Sequence, residues 1–522
     1  MVARLRSYLP LVLCLALCGI VFATLDDYGI TWDEPEDSQA ARQHVSWFSK
    51  PTWSRIDPCW RTNEGHPPLG TLAGGFIQRF LSDRLGIMQP YKAFRLQVLL
   101  YGFALNFVLF AWVSKYWGWA TGLVAVLAFF LLPRAFFHAH LGVLDFPITA
   151  MWVVTAYAFW RGLENSRWML AASALVGLSL LTKVNAIFLW AFLLAWFVVW
   201  FRSDLWRLLR QRFRGCLRDR PHAVRDLVFL LVIPPAVFVA GWPWLWPHPA
   251  GRTGDYFVWI LTHHQIPVYY LGQTWLRAPW HYAFVLTAVT VPLIVLLPFF
   301  AGLLRLHRTT HRAAAVFLLL NALVPILAVA FASAWAYDGV RLFLPAFPFL
   351  CAVAALGVRE LYLLAARIKW GTAFILLYGV LFAVSVYCSI VRYHPYESSY
   401  FNELVGGVNG AAARGFETEY WGSPYQAILP WLNSHPHSAL WVPIQKHTLP
   451  EYQSIGRLAP TIRFVDGSEA DYLVLLIRQG ELSRYPHCWE FYTQRKPVYS
   501  VKVFDTLLVG IYDWKTAREP TP

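Results

Sequence analysis

About eleven apolar runs, each close to the length of a membrane-spanning helix, leave this chain no route to a water-soluble globule. A hydrocarbon core about 30 Å thick is crossed by roughly 20 apolar residues in a helix, somewhat fewer where a span is buried among others. Runs of that kind lie at 8–25, 93–113, 118–133, 143–160, 168–182, 186–201, 227–246, 280–304, 313–333, 342–358 and 372–390. Composition agrees: of 522 residues, 57% are hydrophobic and only 14% charged, against about 25% charged in soluble domains. The sequence predicts a polytopic α-helical membrane protein. The first run follows MVARLR and has the make-up of a signal peptide, but no small-x-small cleavage site and soluble domain come after it, so it is read as a retained first helix.

A formal net charge of +14 would suit a nucleic-acid partner, yet its distribution excludes one. Residues 391–522 hold 12 Lys/Arg against 13 Asp/Glu, which leaves 32 against 17 in residues 1–390, between the apolar runs. Lys and Arg favour cytoplasmic loops. With a cytoplasmic N-terminus, the segments 114–117, 161–167, 202–226, 305–312 and 359–371 lie inside, and 202–226 alone carries eight arginines. With an odd number of spans, the 391–522 tail of this multi-pass protein is then extracytoplasmic, in the periplasm or its equivalent. The seven cysteines form no CxxC pair and sit mostly in apolar runs, as small hydrophobes do. Cys59 and Cys488 would both face an oxidising compartment, but a pairing cannot be deduced from the sequence.

Three outer segments are more than connectors. In 26–92, Ala41, Val45 and Phe48 recur at helical spacing, as in an amphipathic helix lying in the interface. The second large outer loop, 247–279, is rich in Trp, Tyr and His. In the tail, Ser423-Pro424 reads as the start of a helix through Trp431, and ALWVPI, DYLVLLI and VYSVKVFDTLLVGIY read as strands. The domains expected are therefore a transmembrane domain, 1–390, and a small extracytoplasmic α/β domain, 391–522. No internal repeat is evident, so an inverted-repeat transporter gains no support.

Ionisable residues in or beside membrane helices are costly and usually face a polar cavity. Asp33 and Glu34, in GITWDEPED, cannot point the same way in regular structure; one is free to face a cavity while the other holds the loop. An ordinary acidic loop is the bland alternative. In GHPPLG (65–70), two prolines fix an extended approach to the next apolar stretch and can hold His66 in place. Four cations lie on the Asp33 side, against the positive-inside trend: Lys92, Arg95, Lys183 in LLTKVNAI and Arg341 in AYDGVRLFLP. A lipid phosphate is their natural partner, since Arg offers a bidentate fork and Lys a point charge. Snorkelling suits Lys92 but fits Arg95 and Lys183 less well, because both sit in apolar context. The short outer loop PRAFFHAHLGVLDFP adds His138, His140 and Asp145. H-x-H is weak evidence for a metal without a third ligand, and Asp145 reads equally as an N-cap or a second cavity carboxylate.

Taken in order, the acidic pair after the first span, HPPLG, Arg in the following helix, the PR…H…LD-P loop and LLTK resemble the protein O-mannosyltransferase and lipid A aminoarabinose transferase group. These are GT-C superfamily integral-membrane glycosyltransferases. The resemblance covers most of residues 1–390, and HPYESSYFNELVGGVNGA…YWGSPYQAILPWLN is similar to a bacterial subset of members. It implies transfer of a sugar from a polyprenyl-phosphate donor to a protein, glycan or lipid acceptor on the outer face, with inversion at the anomeric carbon. Asp33 maps to the family's acidic residue, the expected base, with Glu34 second. Arg95, Lys183, Arg341 and Lys92 are expected to bind the donor phosphate; His66, Asp145, His138 and His140 are candidate substrate contacts. No cofactor is implied, although a divalent metal is compatible. Two departures stand out: Thr71 follows Gly70 where HPPLGK is usual, and no large luminal carbohydrate-binding insertion is visible. A transporter or flippase of a lipid-linked sugar is the alternative of another class, and an assembly subunit with a partner-binding acidic loop a third.

Overall fold

The computed structural model describes residues 2–61, 66–203, 221–262, 266–331 and 336–518. Among the described residues, six helices are long and apolar enough to cross a membrane: Tyr8–Asp27, Pro90–Trp117, His222–Gly241, Arg312–Phe331, Arg341–Arg367 and Gly371–Val391. A further span is broken, with Tyr282–Thr290 and Leu293–Arg308 meeting at 118°. Trp119–Phe130, Ser166–Thr182 and Ala186–Trp200 are apolar but shorter. Every run read from the sequence has its helix, and among the described residues six or seven of these helices pass as complete spans by length and composition. The remainder fall short by length or mean hydropathy, not by burial, since Arg341–Arg367 is 94% buried and still qualifies.

The break is chemically sealed. Pro292 lacks an N–H and cannot continue the ladder. The carbonyls this leaves free are taken by Asn402, whose Nδ2 donates to Ala288 O and Val291 O at 2.7 Å each while its backbone N–H reaches Val289 O at 2.8 Å. A residue of the tail thus completes a helix of the bundle.

The two ends of the bundle differ in chemistry. At one, Trp117 Nε1 donates to Thr309, Ser166 to Asp226, and Trp160 to Tyr116, which gathers the basic connectors 114–118, 161–168 and 305–312. The rest of the predicted arginine-rich connector, 204–220, lies outside the described residues. At the other end meet the loop after the first helix, the turn at Lys183, the turn at Arg341 and the whole tail.

The predicted amphipathic helix is present as Glu34–Trp47, but its apolar face does not lie on lipid. Ala41 and Val45 are buried against Leu69–Gln78, where Gly75 leaves no room for a side chain beside Ala41. Only Phe48 remains substantially exposed. Residues 247–279 form the helix Pro249–Thr262 and a hairpin, β1 (Val268–Tyr270) and β2 (Gln273–Trp275).

The tail divides in two. Up to about Pro424 it wraps the bundle, and Phe401, Phe416, Tyr420 and Trp421 belong to the bundle's own core. Beyond, a helix at Tyr425–Asn433 begins the α/β unit. Its strands are β3 (Ala439–Trp441), β4 (Arg463–Phe464), β5 (Tyr472–Leu476), β6 (Tyr499–Val503) and β7 (Thr506–Asp513). They order as β4-β3-β5-β7-β6, with β3 parallel to β4 and β5, and β7 antiparallel to β5 and β6. The alternation in VYSVKVFDTLLVGIY thus makes a hairpin, as period-2 patterning favours. Cys59 and Cys488 are both buried free thiols.

Candidate active site

The loop that follows the first helix is fixed before any substrate is considered. Glu34 is fully buried and takes Arg95 as a two-pronged partner, Nε on Oε1 and Nη2 on Oε2 at 2.6 Å each. It also accepts the backbone N–H groups of Thr31 and Gly142, both at 2.9 Å. The remaining donors of Arg95 go to the carbonyls of Leu25, Tyr28 and Gly29. Burial opposes ionisation of Glu34, but the Arg95 guanidinium and these donors hold its carboxyl below the usual range. From the other side, Ile30 N–H donates to Tyr452 Oη, and Trp32 N–H to Trp421 O. Gly29 sits so close to the tail that an added Cβ would meet Ser423 O at 2.1 Å.

This clamp turns Asp33 into a cavity of about 270 Å³. Asp33 begins the helix Glu34–Trp47, with its side chain 24% exposed. Arg341 Nη2 donates to its Oδ2 at 2.6 Å. Burial pushes the Asp33 carboxyl up from the ordinary value, only partly opposed by Arg341 and, more weakly, Lys183, and reinforced by Asp338 and Asp145. The cavity is also lined by His66, Lys183, Tyr337, Arg341, Ile266 and Leu144 from the bundle end, and by Gln445, His447 and Thr448 from the tail.

Lys183 Nζ donates to Asp145 Oδ1 at 2.5 Å, and Arg341 Nε lies 3.3 Å from Asp145 Oδ2. Arg341 Nη1 reaches Asp338 at 2.8 Å, and its guanidinium lies 4.5 Å from the Trp421 ring centroid. Asp145 is wholly buried, so it orients the two cations from behind instead of facing the cavity.

The candidates read from the sequence therefore separate. Asp33, His66, Lys183 and Arg341 share the cavity, with Asp145 behind them. Glu34 and Arg95 neutralise each other in the wall, which leaves Arg95 no donor for a phosphate. Lys92 pairs with Asp26 and does not line the cavity. His140 contacts Thr24 Oγ1 and Phe136 O and stacks on Tyr28, so it braces the loop. His138 is fully buried edge-on to Trp421, and burial pushes it down to about 3. Among the described residues, no three His, Cys, Asp or Glu side chains converge as metal ligands.

Several groups of the site were not anticipated: Gln445, His447 and Thr448 line the cavity, whereas Asp338 bonds Arg341 and Arg478 bonds Asp338 without lining it. Asp338 is three residues from Arg341, in a segment where only the arginine stood out. Gln445, His447 and Arg478 come from the α/β unit and carry no local motif. No sequence feature marks Arg478, because its burial is a property of the fold.

This architecture recurs among known proteins. Residues 71–236 match the family described as dolichyl-phosphate-mannose-protein mannosyltransferase. The whole chain is similar in fold to ArnT from Cupriavidus metallidurans bound to undecaprenyl phosphate. That match has a TM-score of 0.51 at 16% identity and covers 96% of this chain and 97% of that one. The apo state of the same protein gives 0.50 at 16%, covering 98% of each. An oligosaccharyltransferase from Archaeoglobus fulgidus, tethered to an acceptor peptide, gives 0.46 at 12%, covering 94% of this chain and 72% of that one. No curated protein matches in sequence.

Proposed function

We propose that this chain transfers a sugar from a polyprenyl-phosphate donor to an acceptor hydroxyl or amine at the extracytoplasmic face of a bacterial inner membrane. The N-terminus would lie in the cytoplasm and the tail outside. One observation carries the reading: a half-buried carboxylate, Asp33, faces the same cavity as Lys183 and Arg341. The ArnT fold, known with undecaprenyl phosphate bound, supports it.

In the reaction, Lys183 and Arg341 hold the donor phosphate. Drawing Arg341 toward that anion frees Asp33, which takes the acceptor proton as the acceptor oxygen or nitrogen attacks the anomeric carbon from the opposite side. The bond from that carbon to the phosphate oxygen breaks, and the electron pair leaves on the lipid phosphate, where the two cations stabilise it. The configuration inverts. A carboxyl pushed up by burial is a better base than an exposed one, provided it is ionised at working pH. No step requires a metal. The broken span gives a transporter no comparable support, because its freed carbonyls are closed by Asn402.

The test is release of undecaprenyl phosphate from a labelled undecaprenyl-phosphate pentose or hexose, by the full-length protein in envelope membranes that supply acceptors. Release above that of the Lys183→Met/Arg341→Gln variant is expected. Equal release would defeat the reading.

A further inference from the structure

Three carboxylates crowd Arg341: Asp33, Asp338 and Asp145. Lys183 offsets one of them. The third cation comes from the α/β unit. Arg478 lies two residues beyond β5, is 1% exposed, and donates Nη2 to Asp338 Oδ1 at 2.6 Å, while Asp338 Oδ2 accepts from Arg341. Asp338 thus bridges two arginines, one from the bundle and one from the tail.

The bridge is rigid. Asp338 sits at φ 53° and Gly339 at φ 64°, and an added Cβ on Gly339 would meet Tyr420 Oη at 2.4 Å and Arg134 Nη1 at 2.6 Å. The Arg478 guanidinium lies 5.3 Å from the ring centroid of Trp32, the neighbour of Asp33. The adjacent acid, Glu417, accepts from Gly480 N–H at 2.9 Å and is pushed by burial up to about 8. Burial thus disfavours its charged form, and the side-chain hydrogen bond of Arg478 goes to Asp338.

We propose that Arg478 is a positioning residue for Arg341: by occupying one oxygen of Asp338, it leaves Arg341 oriented but not neutralised, with its charge available to a lipid phosphate in the cavity. This rests on the lipid-phosphate reading above. In a dry interior an unbalanced carboxylate draws the nearest cation fully onto itself. Without Arg478, Asp338 takes Arg341 as its sole partner, and Arg341 withdraws from Asp33 and the cavity. Arg478 would thus tune a cation of the site without itself lining the cavity.

The experiment measures binding of undecaprenyl phosphate to the full-length protein in nanodiscs. Arg478→Gln should weaken binding at least about tenfold, the scale of one lost hydrogen bond to a charged group. Arg478→Lys should recover most of it. The double variant Arg478→Gln/Asp338→Asn should also recover, because it removes the unbalanced carboxylate; loss of tail docking alone predicts no such recovery. Wild-type binding by Arg478→Gln, or a double variant as weak as the single, overturns the proposal while the lipid-phosphate reading stands. No binding by the wild type overturns both. Should Arg478→Gln fail to fold, Asp338→Asn alone serves: it frees Arg341 and should tighten binding severalfold, and unchanged or weaker binding overturns the proposal.

Discussion

Arg341 and Asp33 meet at 2.6 Å although 308 residues separate them, and this pair joins the candidate base to a cation able to hold its leaving group. Arg341→Gln should therefore act on both halves of the reaction. Turnover is expected to fall about 10²-fold or more, the scale of removing one preorganised donor, and undecaprenyl-phosphate affinity should fall with it. Steady-state kinetics and lipid binding on one preparation check this; a loss of affinity at unchanged turnover would contradict it.

Lys183 is expected to separate from Arg341 in its effect on stability. Lys183→Met leaves Asp145 fully buried with only the 3.3 Å contact of Arg341. Breaking a buried pair from one side costs about 3–5 kcal/mol, and the remaining cation places this case toward the lower end. Thermal unfolding in detergent should show the loss, together with weaker lipid-phosphate binding.

For the Glu34–Arg95 clamp the expectation is different. Glu34→Gln and Arg95→Met should each destabilise by about 3–5 kcal/mol and free the loop that presents Asp33. A variant of Arg95 with intact stability but weakened lipid binding would restore the phosphate role suggested by its sequence context.

How far the sequence reaches is clear from these residues. Lys183 and Arg341 stood out because a cation outside the membrane needs an anion, and Asp33 because a carboxylate beside an apolar span is costly. Arg95 stood out for the same reason, yet its anion is Glu34, 61 residues away. Composition can show that a buried charge has a partner but not which one. Asp338 and Arg478 were invisible for a related cause: they compensate each other across 140 residues, and no spacing rule links them. The helices were legible from apolar runs, whereas the closing of the broken one was not, because Asn402 lies 114 residues from the Ala288 carbonyl it takes up.

The junction of tail and bundle should be sensitive to alkaline pH. His394 bridges Glu397 and Asp27 at 2.9 Å each, and the Glu397 hydrogen bond, opposed by burial, holds its imidazolium up to about 9. A histidine raised on folding stabilises fully below its unfolded value near 6.5, and that contribution is lost as pH rises through the folded value. Melting temperature should thus decline between about pH 7 and 9, and His394→Gln should flatten that decline. An equal slope in both proteins would remove His394 from the account.

The most direct measurement is turnover by Asp33→Asn. In a reconstituted assay with undecaprenyl-phosphate sugar and envelope acceptors, the amide keeps the shape of the side chain but cannot accept the proton. The account predicts that transfer is abolished while the protein stays folded and binds undecaprenyl phosphate at least as well as the wild type, since Arg341 is released. Transfer at the wild-type rate by Asp33→Asn would contradict it.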